Sequence, residues 1–165
     1  MHYLKNELRR VEKYAEGLGI KIVYKKQRRS DPEAAWSVDG SEITVYLRNR
    51  QSTTQIILDL IHELGHHIHW VYNNRKIPLE LDKALGKESH TKKDREKILY
   101  DEINGGQYHL IIYNELGLKI PKWKVEVERD LAIESYKYYY KNNEEIPRKL
   151  VKEKRIELIK KYKGC

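Results

Sequence analysis

The apolar positions along the chain fall into short periodic runs. Leu4, Leu8, Val11 and Ala15 recur at helical spacing and predict a helix over 3–17, stopped by Gly17 and Gly19. Ile20 to Tyr24 is a β-prone run, and 28–33 reads as a loop around the turn signal Asp31-Pro32. Ala35-Trp36-Ser37-Val38 meets Asp39-Gly40, a hairpin turn pair, and the return strand is Glu42 to Leu47. Ser52-Thr53-Thr54-Gln55 has the form of a capping box, a cap hydroxyl with Gln three residues on. The helix that follows runs to about Asn73 on the stripe Ile57, Leu60, Ile61, Leu64, Ile68 and Val71. Asn73-Asn74 and Pro78 end it, and 78–90 reads as loop with a short helix.

Thr91 and Asp94 open a further helix over 92–116, carrying Ile98, Leu99, Ile103, Leu110 and Ile112. Gly105-Gly106 inside it costs about 1 kcal/mol per Gly relative to Ala. The helix therefore either breaks there or packs very closely on a neighbour. Gly117 and Pro121 interrupt, a helix over 124–142 follows, and Pro147 precedes a basic helix over 149–162. There is no internal repeat and no Ser/Gly-rich linker. The expected fold is α+β: a mostly helical domain with a small twisted antiparallel or mixed sheet packed on the helix at 53–73.

A length of 165 residues fits one compact domain. The division expected is a main domain over 1–142 and a basic C-terminal helix or tail over 143–165. Apolar residues make up 39% and charged residues 35%, so the core must be drawn from the periodic runs above. Phe is absent and Tyr occurs 13 times, which assigns much of the aromatic packing to Tyr. The net charge of +8 is compatible with an acidic partner, nucleic acid included, but Lys and Arg are spread from end to end and read first as a solvated surface. One Cys, Cys165, excludes an intramolecular disulfide. No apolar run approaches a membrane span, and the N-terminus has no apolar signal core. A soluble, cytoplasmic protein without membrane contact is expected.

The chemistry concentrates in His62-Glu63-Leu64-Gly65-His66, an H-E-x-x-H pattern in the middle of a capped helix. Residues four apart project from one face, so two imidazoles can reach one tetrahedral Zn²⁺ at roughly 2.0–2.1 Å each. Glu63 stands next to the first ligand and can take a proton from a water activated by the metal, then pass it to a leaving amine. His69 shares the face of His62 but lies about 10 Å along the axis, which makes it a pocket-lining or supporting group. His67 is expected at the surface or the edge of the core. The longer pattern H-E-x-x-H-x-x-G-x-x-H is absent, because position 69 is His and position 72 is Tyr.

A catalytic zinc usually takes three protein ligands and leaves one position open. Two carboxylates compete for the third place. Glu134 borders the apolar stripe Val127, Leu131, Ser135 and Tyr138, and the small Ser135 beside it permits close helix approach. Glu102 shares a stripe with Ile98, Gly105 and His109, where the glycine pair permits the same. Glu134 is the preferred ligand and Glu102 its rival.

On these residues the chain resembles the gluzincin branch of the zincin metallopeptidases, in particular minimal gluzincins and small phage and bacterial H-E-x-x-H proteins. The likeness covers roughly 1–142: helix, hairpin strands, motif helix, then helices carrying a Glu, here with Ser135-Tyr136 after Glu134. The resemblance implies His62, His66 and Glu134 as ligands of one catalytic zinc, Glu63 as general base, and a peptide or protein as substrate. It also implies that the strand Glu42 to Leu47 is the cleft edge that binds extended peptide by strand addition, as an unpaired edge can. Two alternatives stand beside it. One is a DNA-associated protease similar in logic to SprT-like proteins. The other is a non-catalytic interaction or regulatory protein with a structural zinc, which a fourth ligand such as His90 or His109 would favour. The basic C-terminal helix and Cys165 are read as an exposed tail rather than a cover over the cleft.

Overall fold

The computed structural model describes residues 2–28, 33–37, 39–49, 51–73 and 90–164. The chain runs α1 (His2–Gly17), β1 (Lys21–Lys26), β2 (Ala34–Trp36), β3 (Glu42–Leu47), α2 (Thr53–Tyr72), α3 (Lys92–Glu115), α4 (Lys122–Asn142) and α5 (Arg148–Lys163). This is an α+β fold, mostly helical with one three-stranded mixed sheet. The expected loops at Asp31-Pro32 and over 78–89, together with Cys165, lie outside the described residues.

Two helices, α2 and α3, start where a polar side chain satisfies free backbone N–H groups, whereas α4 and α5 follow Pro121 and Pro147 without a side-chain cap. Ser52 Oγ accepts from the Gln55 N–H at 3.2 Å. The return bond of a capping box is not made, because the Gln55 side chain donates instead to Asp59. At Thr91 the box is complete, with Asp94 and Thr91 exchanging both bonds. In the β2–β3 hairpin, Asp39 Oδ1 accepts from the Ser37 and Ser41 hydroxyls and from the Ser41 N–H, which pulls its carboxyl down to about 2. Gly40 sits at φ +73, and the Trp70 ring of α2 fills the space a side chain would take there.

The sheet order is β1-β3-β2, with β3 parallel to β1 and antiparallel to β2. The strand over 42–47 is therefore central, and the expectation that it forms a free edge is corrected. It is paired on both sides because its Ile43 and Val45 are core residues, whereas the three-residue β2 is left at the rim. The sheet, α1 and α3 close on α2 around Val11, Ile43, Val45, Ile57, Leu60 and Leu64, all fully buried. Each such side chain contributes about 1.5–3 kcal/mol of burial. The heart of this core is aliphatic. Tyr14, Tyr108 and Tyr113 sit at its margin, half-buried, with the Tyr14 hydroxyl donating to Glu115 at 3.1 Å and the Tyr113 hydroxyl to the Ile120 carbonyl at 2.8 Å. A second cluster of Val127, Leu131 and Leu158 joins α4 to α5.

Candidate metal centre and cleft

The motif residues sit where α2 crosses α3, and two glycines set the spacing. A Cβ on Gly65 would stand 2.6 Å from the Gly105 carbonyl oxygen and 2.8 Å from the His109 ring. A Cβ on Gly105 would stand 2.7 Å from His66 Nδ1. Neither side chain fits, so the two backbones meet at this point and α3 continues unbroken through Gly105-Gly106. The close approach carries Glu102, one turn earlier on α3, to the imidazoles of α2.

His66 Nε2 lies 3.2 Å from His62 Nε2 and 3.4 Å from Glu102 Oε2, while His62 Nε2 lies 3.7 Å from Glu102 Oε1. These three residues form a group able to hold a metal ion, with one ligand atom from each within 4.8 Å of the others. Donors 2.0–2.1 Å from a tetrahedral ion stand roughly 3.3 Å apart, which the observed separations bracket. Glu102 is 3% exposed, and its Oε1 is buried with no hydrogen-bond partner. A carboxylate oxygen out of water needs a cation or a donor, so the residues present fit a divalent ion.

A carboxylate behind the histidines orients them. Asp101, 5% exposed, accepts from His66 Nδ1 at 2.9 Å and from His69 Nδ1 at 3.0 Å. An ionised carboxylate only accepts, so His66 carries its hydrogen on Nδ1 and turns Nε2 toward His62 and Glu102. Burial opposes charge throughout this group. On His66 it is outweighed by the hydrogen bonds to Asp101 and Glu102, which hold the imidazole well above its ordinary value. Burial likewise raises the two acids, yet His66 and His69 hold Asp101 below its usual range, and His62 and His66 do the same for Glu102. The two carboxylates thus favour positive charge at the imidazoles, and the imidazoles favour ionised carboxylates.

His109, 3% exposed, behaves in the opposite way. Burial first, then the nearby His62, His66 and Arg129, keep its imidazole neutral. Its ring centroid is 4.8 Å from that of His62, and its Nε2 is buried without a partner.

Beside this group opens a cleft of about 340 Å³ lined by His62, Glu63 and His109 from the motif crossing, Glu33 and Ala34 from the start of β2, and one face of α4. That α4 face presents Glu128, Leu131, Ala132, Ser135 and Tyr136, and α5 adds Val151 and Arg155. Tyr136 has its phenol pushed up by burial and then by the charges of Glu102 and Glu63, so it stays protonated.

The sequence-derived residues are therefore divided. His62, His66 and Glu102 come together, and Glu63 lines the adjoining cleft. Glu134 does not join them. It lies in the groove between α4 and α5, half-buried, with Oε1 2.8 Å from Lys137 Nζ. The preference for Glu134 as third ligand is corrected on this geometry. The stripe it borders packs partly on α5, and Lys137 supplies the partner that its position demanded. His69 bonds to Asp101 behind the motif histidines, in the supporting place expected of it. His67, expected at the surface or the edge of the core, is buried with its ring against those of Trp36 and Trp70. Asp101 was not singled out in the sequence, and Tyr136 entered only as the aromatic that follows Glu134-Ser135. Asp101 carries a legible signal, since Asp94, Ile98, Asp101, Gly105 and Ile112 recur on one buried helix face.

Compared with protein-family models, with curated proteins and with solved structures, the chain matches none. No helix among the described residues is long and apolar enough to cross a membrane. The functional reading rests on the site itself.

Proposed function

We propose that this chain is a zinc-dependent peptidase of the gluzincin type, with His62, His66 and Glu102 as ligands and Glu63 as general base. The observation that carries the reading is the convergence of two H-E-x-x-H imidazoles and a buried, unpartnered carboxylate oxygen beside a cleft lined by the motif Glu. Zinc suits two imidazoles and one carboxylate, although other divalent ions accept the same donors. A bound Zn²⁺ supplies Lewis acidity, bringing the pKa of a water to near 7 and polarising a carbonyl. Three protein ligands favour this use over a structural site, which usually takes four. His109 and His90 are not members of the group described above.

The chain's own residues do the rest. Glu63 takes the proton of the attacking water and delivers it to the leaving nitrogen. The protonated Tyr136 phenol donates to the oxygen that gains charge as the peptide carbon becomes tetrahedral. Asp101 holds His66 in one tautomer and orientation. Substrate binds along β2. Glu33 and Ser37 bond back to β3, so the alternate residues Ala34 and Trp36 turn their N–H and C=O outward. Among the described residues no strand covers that edge, and Ala34 lines the cleft. An extended peptide can add there as a fourth strand.

The test is a digest of a mixed peptide library by the zinc-loaded protein and by zinc-loaded Glu63→Gln. Cleavage by the wild type, abolished in Glu63→Gln at equal zinc content, is expected. A zinc-loaded wild type that cleaves nothing, or an equally active Glu63→Gln, overturns the reading.

A further inference from the structure

Charged residues make up 35% of the chain, yet from Ile98 to Asn114 no charged side chain is exposed. The ionisable groups Asp101, Glu102 and His109 in that stretch of α3 are buried against α2. What faces solvent is Tyr100, Asn104, Gln107, Ile111 and Asn114, spaced three or four apart, so they form one outward stripe. Tyr100 is 56% and Ile111 52% exposed. A solvated helix of this chain looks different: the outer side of α5 carries Lys149, Lys152, Glu153 and Lys160. A surface depleted of charge and rich in Tyr has the composition of a protein interface.

The aromatic part of this face is held in place. Tyr108 borders the stripe, and its ring stacks on that of Tyr72 from α2 at 5.8 Å and 11°. His69 lies against the rings of Tyr100 and Tyr108, with centroids 6.1 and 6.2 Å away. Rings fixed in this way lose little freedom when a partner covers them.

The order of residues along the stripe complements itself. Two amides, Asn104 and Gln107, stand at its middle, with Tyr100 before them and Ile111 after. Two copies of α3 crossing antiparallel about a two-fold axis between the amides set Asn104 against Gln107 of the second copy, and Tyr100 against its Ile111. Polar meets polar and apolar meets apolar. The same arrangement brings Lys93 and Lys97, which precede the stripe, toward Glu115, which follows it, and opposes the two helix dipoles. Arg10 at the Glu115 end is held on the Leu116 and Gly117 carbonyls. Each chain repels its own copy through a net charge of +8, and the stripe lets two copies approach without like charges in contact.

We infer that the outward face of α3, with Tyr72 beside it, is the contact surface of a two-fold antiparallel dimer of this chain. Glu102 projects from the other side of α3, so both clefts stay open, and the dimer does not depend on the peptidase reading. The stripe is about 20 Å long on a helix about 10 Å wide, below the roughly 800 Å² per partner of a standard interface. A dissociation constant on the order of 10 µM is therefore expected.

Sedimentation equilibrium of the full chain tests this, in reductant so that Cys165 cannot link chains, and at about 0.15 M salt to screen the net charge. The mean mass should rise from one chain toward two between about 1 and 100 µM. Ile111→Lys and Tyr100→Glu should each weaken the dimer about tenfold or more. Both positions are exposed, so each variant should keep the wild-type melt at a concentration where the chain is single. An equimolar mixture of the two variants should dimerise again, because the two new charges meet each other while the second Tyr100–Ile111 contact is unchanged. A chain that stays single to about 300 µM overturns the inference and leaves this face to a different protein. A dimer that either substitution leaves intact, or a mixture that stays monomeric, overturns it as well.

Discussion

Glu102 and Asp101 are neighbours in sequence with different tasks. Glu102 turns an unpartnered oxygen toward the imidazoles, while Asp101 stands behind them and ties His66 to His69. Asp101→Asn keeps the shape but loses the charge and one acceptor. Its zinc affinity should fall about 10–100-fold, measured by competition with a chelator. Tyr136→Phe should lower kcat about 10²-fold with KM little changed, because a donor to developing charge acts in the transition state. Unchanged kcat would remove the phenol from the mechanism. Asp59 gives a prediction about pH. Its carboxyl ordinarily titrates at 3.8 and is raised to about 7 in the folded chain. Across that window the folded state holds a proton that the unfolded state has lost, so stability falls as pH rises from about 4 to about 7. Asp59→Asn should flatten this slope and raise Tm at pH 8 relative to wild type. Thermal melts at pH 5 and pH 8 check it, and an identical slope in both proteins would contradict it.

At the scale of elements, the contact of α2 with α3 makes the site, and glycine makes the contact. Gly105→Ala drives a methyl group into His66, and Gly65→Ala drives one into a backbone carbonyl. Each should cost about 1–3 kcal/mol and weaken zinc binding together with stability. Ala at Gly17, where nothing stands within 4 Å, should leave zinc binding unchanged. Denaturant melts and metal titration of the three variants distinguish them. The glycine pair also shows what was legible in the sequence. Its cost inside a periodic helix demanded either a break or a close neighbour, and the structure has the close neighbour. Helix starts at Ser52 and Thr91 were legible because capping is local chemistry. The order of the strands was not, because adjacency in sequence does not say which strand is central. The third ligand was not legible either. Glu102 and Glu134 both border apolar stripes, and only the packing of the helices shows that Glu102 meets the imidazoles while Glu134 faces the groove beside α5, paired with Lys137 of its own helix.

Over the whole molecule, α5 is an integral part of the cleft. It packs Leu158 on Val127 and Leu131, and it contributes Val151 and Arg155 to the cleft wall. The segment read as an exposed tail is thus a helix with a buried face. Leu158→Ala should cost about 2–3 kcal/mol, seen as a lower denaturant midpoint. The cleft lining holds four carboxylates against one guanidinium although the chain carries +8, and any nucleic acid held by the basic residues should be released steeply by salt. The central claim is that one ion is held by His62, His66 and Glu102. Metal content per chain, measured after loading and desalting of Glu102→Ala and Glu134→Ala beside the wild type, tests it most directly. The account predicts one zinc in the wild type and in Glu134→Ala, and loss of zinc from Glu102→Ala. Zinc kept by Glu102→Ala and lost from Glu134→Ala would contradict it.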